Sequence, residues 1–333
     1  MKKFLAILLV AVMMLSVVSI AHAEPKTYKV GISIYQYTDN FMTLYRNELE
    51  SYLKSLETDD MKFDITMTDG KNDMAEQSNQ VDNFITQGMD VIILNLVQTS
   101  SADVLIDKIV AAGIPLVLIN REPLGEDGDY SYKGILDNPQ VCYVGADARQ
   151  SGSFQGVIVE EQPNHGDFNG DGKISYIMIE GDPENIDAQY RTEYSVKYLT
   201  DAGYEVECLD DQVGNWDQTK GQELCANALN IYGDKIEVVF CNNDAMALGA
   251  STAILTAQRK VGEDILLLGV DALPEAIDLI KSGDMTGTCV NDHINQAHAA
   301  ADVAVKLLKG EEIENYYIID YVKVNKEYVD ANY

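Results

Sequence analysis

The chain has 333 residues, more than one domain usually holds. Its 54 Asp and Glu against 24 Lys and Arg give a net charge of −30, which argues against nucleic acid or an anionic membrane surface as partner. Its five cysteines (142, 208, 225, 241, 289) leave room for one bridge but not for a disulfide-stapled scaffold. Cys142, Cys241 and Cys289 lie in apolar strand-like runs, where buried free thiols are expected.

The chain opens with two lysines, an apolar run of about 17 residues and Ala21-His22-Ala23. These are the three regions of a secretory signal peptide, so export and cleavage after Ala23 are expected. A membrane anchor is the rival reading, but the run is short and ends in an A-x-A pattern. No cysteine stands near the cleavage point to carry a lipid, and no later stretch is long and apolar enough to span a bilayer.

Beyond the leader, strand-like runs alternate with helical patterns. YKVGISIY (28–35), KFDITMT (62–68), DVIILNL (90–96), IPLVLIN (114–120) and VCYVGA (141–146) frame helices near 40–57, 73–88 and 101–112. The second half repeats the scheme with ISYIMIE (174–180), YEVECLD (204–210), IEVVFCN (236–242), ILLLGVD (265–271) and MTGTCVN (285–291). Its helices fall near 149–161, 187–202, 216–231, 244–258 and 274–282. A last helix near 293–309 precedes the strand-like NYYIIDYVKV. Alternating β and α with continuously apolar strands predicts α/β architecture: two doubly wound parallel sheets covered on both faces.

Several strands end in polar residues: Asn120, Asn242-Asn243-Asp244, Asp271 and Asn291. Each alone is equally a helix cap. Together they point to a polar cleft, because open α/β sheets bind ligands beyond the carboxyl ends of their strands. Phe41 after the first strand and Trp216 before a later helix add flat apolar surface. That mixture suits a sugar, whose C–H faces stack on rings while its hydroxyls need convergent donors and acceptors.

Residues 167–175, DFNGDGKIS, open like an EF-hand calcium loop, with oxygen side chains at positions 1, 3 and 5 and Gly172 at 6. Position 12, where an EF-hand places a bidentate Glu, is Met178. The following residues alternate like a strand, so a closing carboxylate must come from elsewhere.

The words DNFM (39–42), NREP (120–123), NNDAMALGA (242–250), GVDALPEA (269–276), KSGDMTGT (281–288) and NDHINQA (291–297) resemble, in order, the galactose/glucose-binding family of periplasmic proteins. These capture sugars for ABC importers. The resemblance runs through essentially the whole mature chain. It implies two Rossmann-like lobes, 26–145 with 293–319 and 147–291 with 320–333, joined by hinge crossings near Gly145-Ala146, Asp292 and Asp320. It also implies a periplasmic location, a monomer, and capture of D-galactose or D-glucose for the membrane subunits of a transporter. The family often serves a chemoreceptor too, a partner the sequence alone does not assign. Carried over by position, the aromatic pair falls on Phe41 and Trp216, and the polar contacts on Asp39, Asn120, Asp187, Arg191, Asn243, Asp271 and Asn291. Asn185 stands where the family has a His toward the 6-hydroxyl, which leaves a pentose such as xylose or arabinose as the alternative ligand.

The resemblance also implies a Ca2+ site closed by a distant Glu. Here Asp167, Asn169, Asp171, the Lys173 carbonyl and Ser175 would supply five ligands, with Glu237 bidentate. Ser175 replaces a more usual amide side chain. The rival classes are weaker. Asp39, Asp187 and Asp271 would be the carboxylates of a glycosidase, but no nucleophile elbow surrounds Ser153 and no triad pattern involves His165, His293 or His298. A repressor on the same fold would open with a DNA-binding helix-turn-helix rather than a signal peptide. No enzymatic activity is expected.

Overall fold

The computed structural model describes residues 25–125 and 130–333. The leader and its cleavage point lie outside them. Among the described residues no helix is long and apolar enough to cross a membrane.

Two six-stranded sheets organise the chain. The first has β1 (Lys26–Ile34), β2 (Met61–Asp69), β3 (Val91–Leu94), β4 (Leu116–Ile119), β5 (Val141–Gly145) and β11 (Tyr316–Ile318), in the order β11-β5-β4-β3-β1-β2. The second has β6 (Lys173–Glu180), β7 (Glu205–Val213), β8 (Val238–Cys241), β9 (Leu266–Leu268), β10 (Gly287–Val290) and β12 (Val322–Asn325), in the order β12-β10-β9-β8-β6-β7. The central strands are buried on both faces, as the unbroken apolar runs predict.

Helices cover both faces of each sheet. On the first lobe, α1 (Asn40–Ser55) and α10 (His293–Lys309) pack Phe41, Leu49, Leu53, Ala297, Ala300 and Ala304 against one side. The other side carries α2 (Met74–Gln87), α3 (Ala102–Ala111) and the short α4 (Lys133–Leu136). On the second lobe, α5 (Ala148–Glu160) and α6 (Ile186–Asp201) lie against one face. Opposite them are α7 (Gln218–Tyr232), α8 (Asp244–Thr256) and α9 (Pro274–Ser282). The chain passes between sheets three times: from β5 to α5, from β10 to α10, and from β11 to β12. The last passage is cross-tied where the Tyr321 N–H donates to Gln150 Oε1 at 2.6 Å.

Two features depart from the sequence reading. NYYIIDYVKV divides near Asp320 between the two sheets as the resemblance implied, but β12 pairs antiparallel with β10, so the second sheet is not purely parallel. The helices α4 and α11 (Lys326–Asn332) are too short for an amphipathic period to declare them. As expected from their apolar runs, Cys142, Cys241 and Cys289 are buried and free; Cys225 is also buried and free, and Cys208 is free and exposed.

Candidate functional site

The carboxyl ends of both sheets face a shared cavity. All ten residues named from the sequence line it: Asp39, Phe41, Asn120, Asn185, Asp187, Arg191, Trp216, Asn243, Asp271 and Asn291. Tyr35, Met42 and Arg121 line it as well and were not named. Arg121 sits inside the quoted NREP word, and Tyr35 ends the first strand-like run, so both had a positional signal.

The backbone is held in uncommon conformations where the site is built. Asn120, Trp216 and Asp271 have φ of 63°, 66° and 124°, and their neighbours Asn215 and Ala272 have 52° and 54°. Such backbone costs of order 1–3 kcal/mol per residue and concentrates at ligand sites. Each case has visible supports. Asn120 donates its N–H to Val144 O (3.0 Å), accepts the Tyr143 hydroxyl on its carbonyl (2.8 Å) and accepts Asn95 Nδ2 on Oδ1 (3.2 Å). The turn holding Asp271 and Ala272 is gripped by buried Asp244, whose Oδ2 accepts Leu273 N–H (2.8 Å) and whose Oδ1 accepts the Thr288 hydroxyl (2.6 Å). The Trp216 ring lies so close over Gly181 that a Cβ there would come within 2.1 Å of it. Only glycine permits that approach.

Helix capping and cleft lining turn out to be one device at three positions. Asp39 caps α1 through Met42 N–H, Asn185 caps α6 through Asp187 N–H, and Asn243 caps α8 through Met246 N–H. The cap uses one acceptor of each side chain; Asp39 Oδ2 also accepts the Tyr35 hydroxyl (2.7 Å), and Asn243 Nδ2 donates to Trp216 O (3.3 Å). For Asn185 the capping oxygen is the carboxamide oxygen (3.1 Å), which leaves its NH2 and one oxygen lone pair for a ligand. Asn120, Asp271 and Asn291 cap nothing; Asn291 Nδ2 donates to Asp271 Oδ1 (3.2 Å), while Gln296 Nε2 donates to Asn291 Oδ1 (2.6 Å).

Electrostatics centre on Arg191, which is 3% exposed. Its guanidinium donates to Asn242 O (2.8 Å) and the Tyr321 hydroxyl (2.9 Å), and lies 3.5 Å from Asp187 Oδ2 one helical turn away. Burial raises the Asp187 carboxyl to about 6, with Arg191 and Arg121 offsetting only part of the desolvation. The Asp271 carboxyl is pushed well above its ordinary range by burial, against the pull of Arg191. Among the residues that line the cavity, Arg121 Nε, Arg191 Nε and Trp216 Nε1 are buried donors without a partner. Orphaned donors beside desolvated carboxylates cost free energy that an oxygen-rich ligand would recover.

The acidic loop lies elsewhere on the second lobe and is wound tightly on itself. Asp167 Oδ1 and Oδ2 accept from Gly170 N (2.7 Å) and Gly172 N (3.0 Å), Asn169 Oδ1 from Asp171 N (2.8 Å), and Asp171 Oδ1 from Lys173 N (2.9 Å). Glu237, 1% exposed, reaches the loop from the start of β8. It accepts from Phe168 N (2.8 Å) and Asn169 N (3.0 Å) on Oε1 and from Ser175 N (2.9 Å) on Oε2. The distant carboxylate expected from the sequence is therefore at the loop. The donors are all hard oxygens, which suits Ca2+ in kind, although Glu237 Oε1 already accepts two N–H groups and only Oε2 keeps a lone pair beyond its single amide bond. Among the described residues, however, no three His, Cys, Asp or Glu side chains already stand together as a metal cage.

Comparison with known proteins agrees with this architecture. A family model described as periplasmic binding protein domain matches residues 30–312. The D-galactose/methyl-galactoside binding periplasmic protein of Haemophilus influenzae is 33% identical over 90% of each chain. A Rhizobium meliloti protein, provisionally named rhizopine-binding, is 33% identical over 98% of this chain and 97% of its own. Among solved structures, an ABC transporter solute-binding protein from Bacillus halodurans with bound myo-inositol shares 28% identity. It superposes with a TM-score of 0.78 over 93% of this chain and 98% of that one. These relatives are substrate-binding proteins, not enzymes. The chain belongs to the type I periplasmic binding protein family of sugar ABC transporters.

Proposed function

We propose that the cleft captures a hexose, D-galactose or D-glucose, and that the loaded, closed protein delivers it to the membrane subunits of an ABC importer. The observation that carries this reading is the set of unpaired buried donors, Arg121 Nε, Arg191 Nε and Trp216 Nε1, in a cavity that also holds Asp39, Asp187 and Asp271. A pyranose offers hydroxyls that donate to the carboxylates and accept from the guanidinium and amide groups. Its C–H faces meet Phe41 from one lobe and Trp216 from the other. Because one ligand touches both lobes, binding favours the closed arrangement. The D-galactose relative supports the hexose over other rings.

A second reading has its own support. The myo-inositol-bound neighbour makes a cyclic polyol a reasonable occupant, since an inositol ring has the same hydroxyl edge but no hydroxymethyl group. Asn185 bears on that choice, as its free NH2 is shorter than the His it replaces. Calorimetry with D-galactose, D-glucose, D-xylose, L-arabinose and myo-inositol decides between them. The hexose reading expects the tightest binding for galactose or glucose; tighter binding of myo-inositol or a pentose overturns it. Asn185→His should widen the hexose-to-pentose ratio by about 1 kcal/mol, one neutral hydrogen bond.

For the acidic loop, the proposal is a Ca2+ staple held by Asp167, Asn169, Asp171, the Lys173 carbonyl, Ser175 and Glu237. The ion would offset the mutual repulsion of three carboxylates and tie the loop to β8, apart from the cleft.

A further inference from the structure

Resting on the cleft reading above, we propose that Arg121 and Asp182 form an interlobe latch that sets how long the cleft stays closed. Arg121 follows β4 in the first lobe; Asp182 follows β6 in the second. Arg121 Nη1 lies 3.2 Å from Asp182 Oδ2, with Arg121 only 1% exposed and Asp182 16%. A second bond joins the same seam, from Thr99 Oγ1 to Glu184 O at 3.1 Å.

Both partners are positioned before they meet. Arg121 Nη1 also donates to Val97 O (2.6 Å), and its guanidinium stacks 3.7 Å above the Tyr35 ring. Asp182 Oδ1 accepts Glu184 N–H (3.0 Å), and its carbonyl accepts Asn185 N–H (2.9 Å), which locks the turn leading into α6. The pair therefore bridges the two loops that carry Asn120 and Asn185. Through Tyr35, whose hydroxyl donates to Asp39 Oδ2 (2.7 Å), it also meets the first-lobe carboxylate of the cleft. Asp182 itself does not line the cavity.

Physical chemistry gives the latch a definite signature. Opening separates Arg121 from its carboxylate and returns both to water, so the pair acts on the closed state alone. Removing one partner leaves the other buried and uncompensated whenever the lobes close. Its loss should therefore speed ligand release, with little effect on association and none on the preference between ligands.

The test is stopped-flow Trp216 fluorescence with D-galactose and with D-glucose on wild type, Asp182→Asn, Arg121→Gln and the double variant. Asp182→Asn should raise the dissociation rate about tenfold for both sugars while leaving their affinity ratio unchanged. The double variant should release no faster than Arg121→Gln alone, because the two residues act as a unit. An unchanged dissociation rate in Asp182→Asn, or strictly additive effects, overturns the latch. If neither sugar alters wild-type fluorescence, the hexose reading fails by itself. The same cycle is then read from the closed fraction of ligand-free protein by single-molecule energy transfer between lobes. Asp182→Asn should lower that fraction about tenfold, and an unchanged fraction overturns the proposal.

Discussion

The interlobe cleft and the loop at 167–175 are both rich in carboxylates and amides, yet their polar atoms are spent differently. In the loop, the side-chain oxygens of Asp167, Asn169, Asp171 and Glu237 accept backbone N–H groups, and the turn closes on itself. In the cleft, capping and support consume only part of the hydrogen-bonding capacity, and Arg121, Arg191 and Trp216 are left with orphaned donors beside raised carboxyls. The cleft also carries the backbone strain at Asn120, Trp216 and Asp271, whereas the loop places glycines, Gly170 and Gly172, at its positive-φ positions. A region built for its own stability satisfies its polar groups locally; a region built for a partner leaves some of them waiting.

The largest test of that contrast is Arg191→Met. It removes the buried cation shared by Asp187, Tyr321 and Asn242 O, leaving desolvated carboxylates uncompensated. Binding measured by calorimetry should weaken by roughly 3–5 kcal/mol; unchanged affinity would remove the cleft from the account. On the loop side, Glu237→Ala strips the acceptor from three N–H groups and should cost about 3 kcal/mol of stability with sugar affinity intact. Chelator should lower the wild-type Tm and leave that of the Glu237→Ala variant alone. If chelator does not move the wild type, the loop is held by its own hydrogen bonds and the Ca2+ proposal falls.

The contrast also explains what could be read in advance. Asn120, Asn243, Asp271 and Asn291 were visible because each ends a strongly apolar strand, whereas Asp187 and Arg191 were placed by family likeness. The loop announced itself by spacing, but Glu237 lies 62 residues beyond Ser175 and was placed by family likeness alone. Arg121 and Tyr35 escaped notice because their roles depend on stacking and on a carboxylate from the opposite lobe. The antiparallel β12 escaped because a four-residue strand carries no mark of its direction. Asn185 was read only as standing where the family has a His; the structure adds that its oxygen caps α6.

A smaller effect follows from pH. Burial lifts Asp187 to about 6 and Asp244 to about 7. Folded protein thus retains protons that unfolded chain releases above about pH 4. Ligand-free stability should fall as pH rises from about 4 to 7, since the folded state binds more protons throughout that window. Thermal melts across that range check the sign, and a rise in Tm would contradict it. Hydroxyls donating to Asp187 stabilise its ionised form, so sugar binding near pH 6 should release protons. Calorimetry in buffers of different ionisation enthalpy reads that release.

The central claim, that the unpaired groups of the cleft close around a sugar, is tested most directly by titrating the intrinsic fluorescence of Trp216, the sole tryptophan in the chain. D-galactose or D-glucose should produce a saturable change, and Trp216→Ala should weaken binding measured by calorimetry by roughly 1–3 kcal/mol. A flat response to both hexoses, with Ca2+ present, would contradict the account.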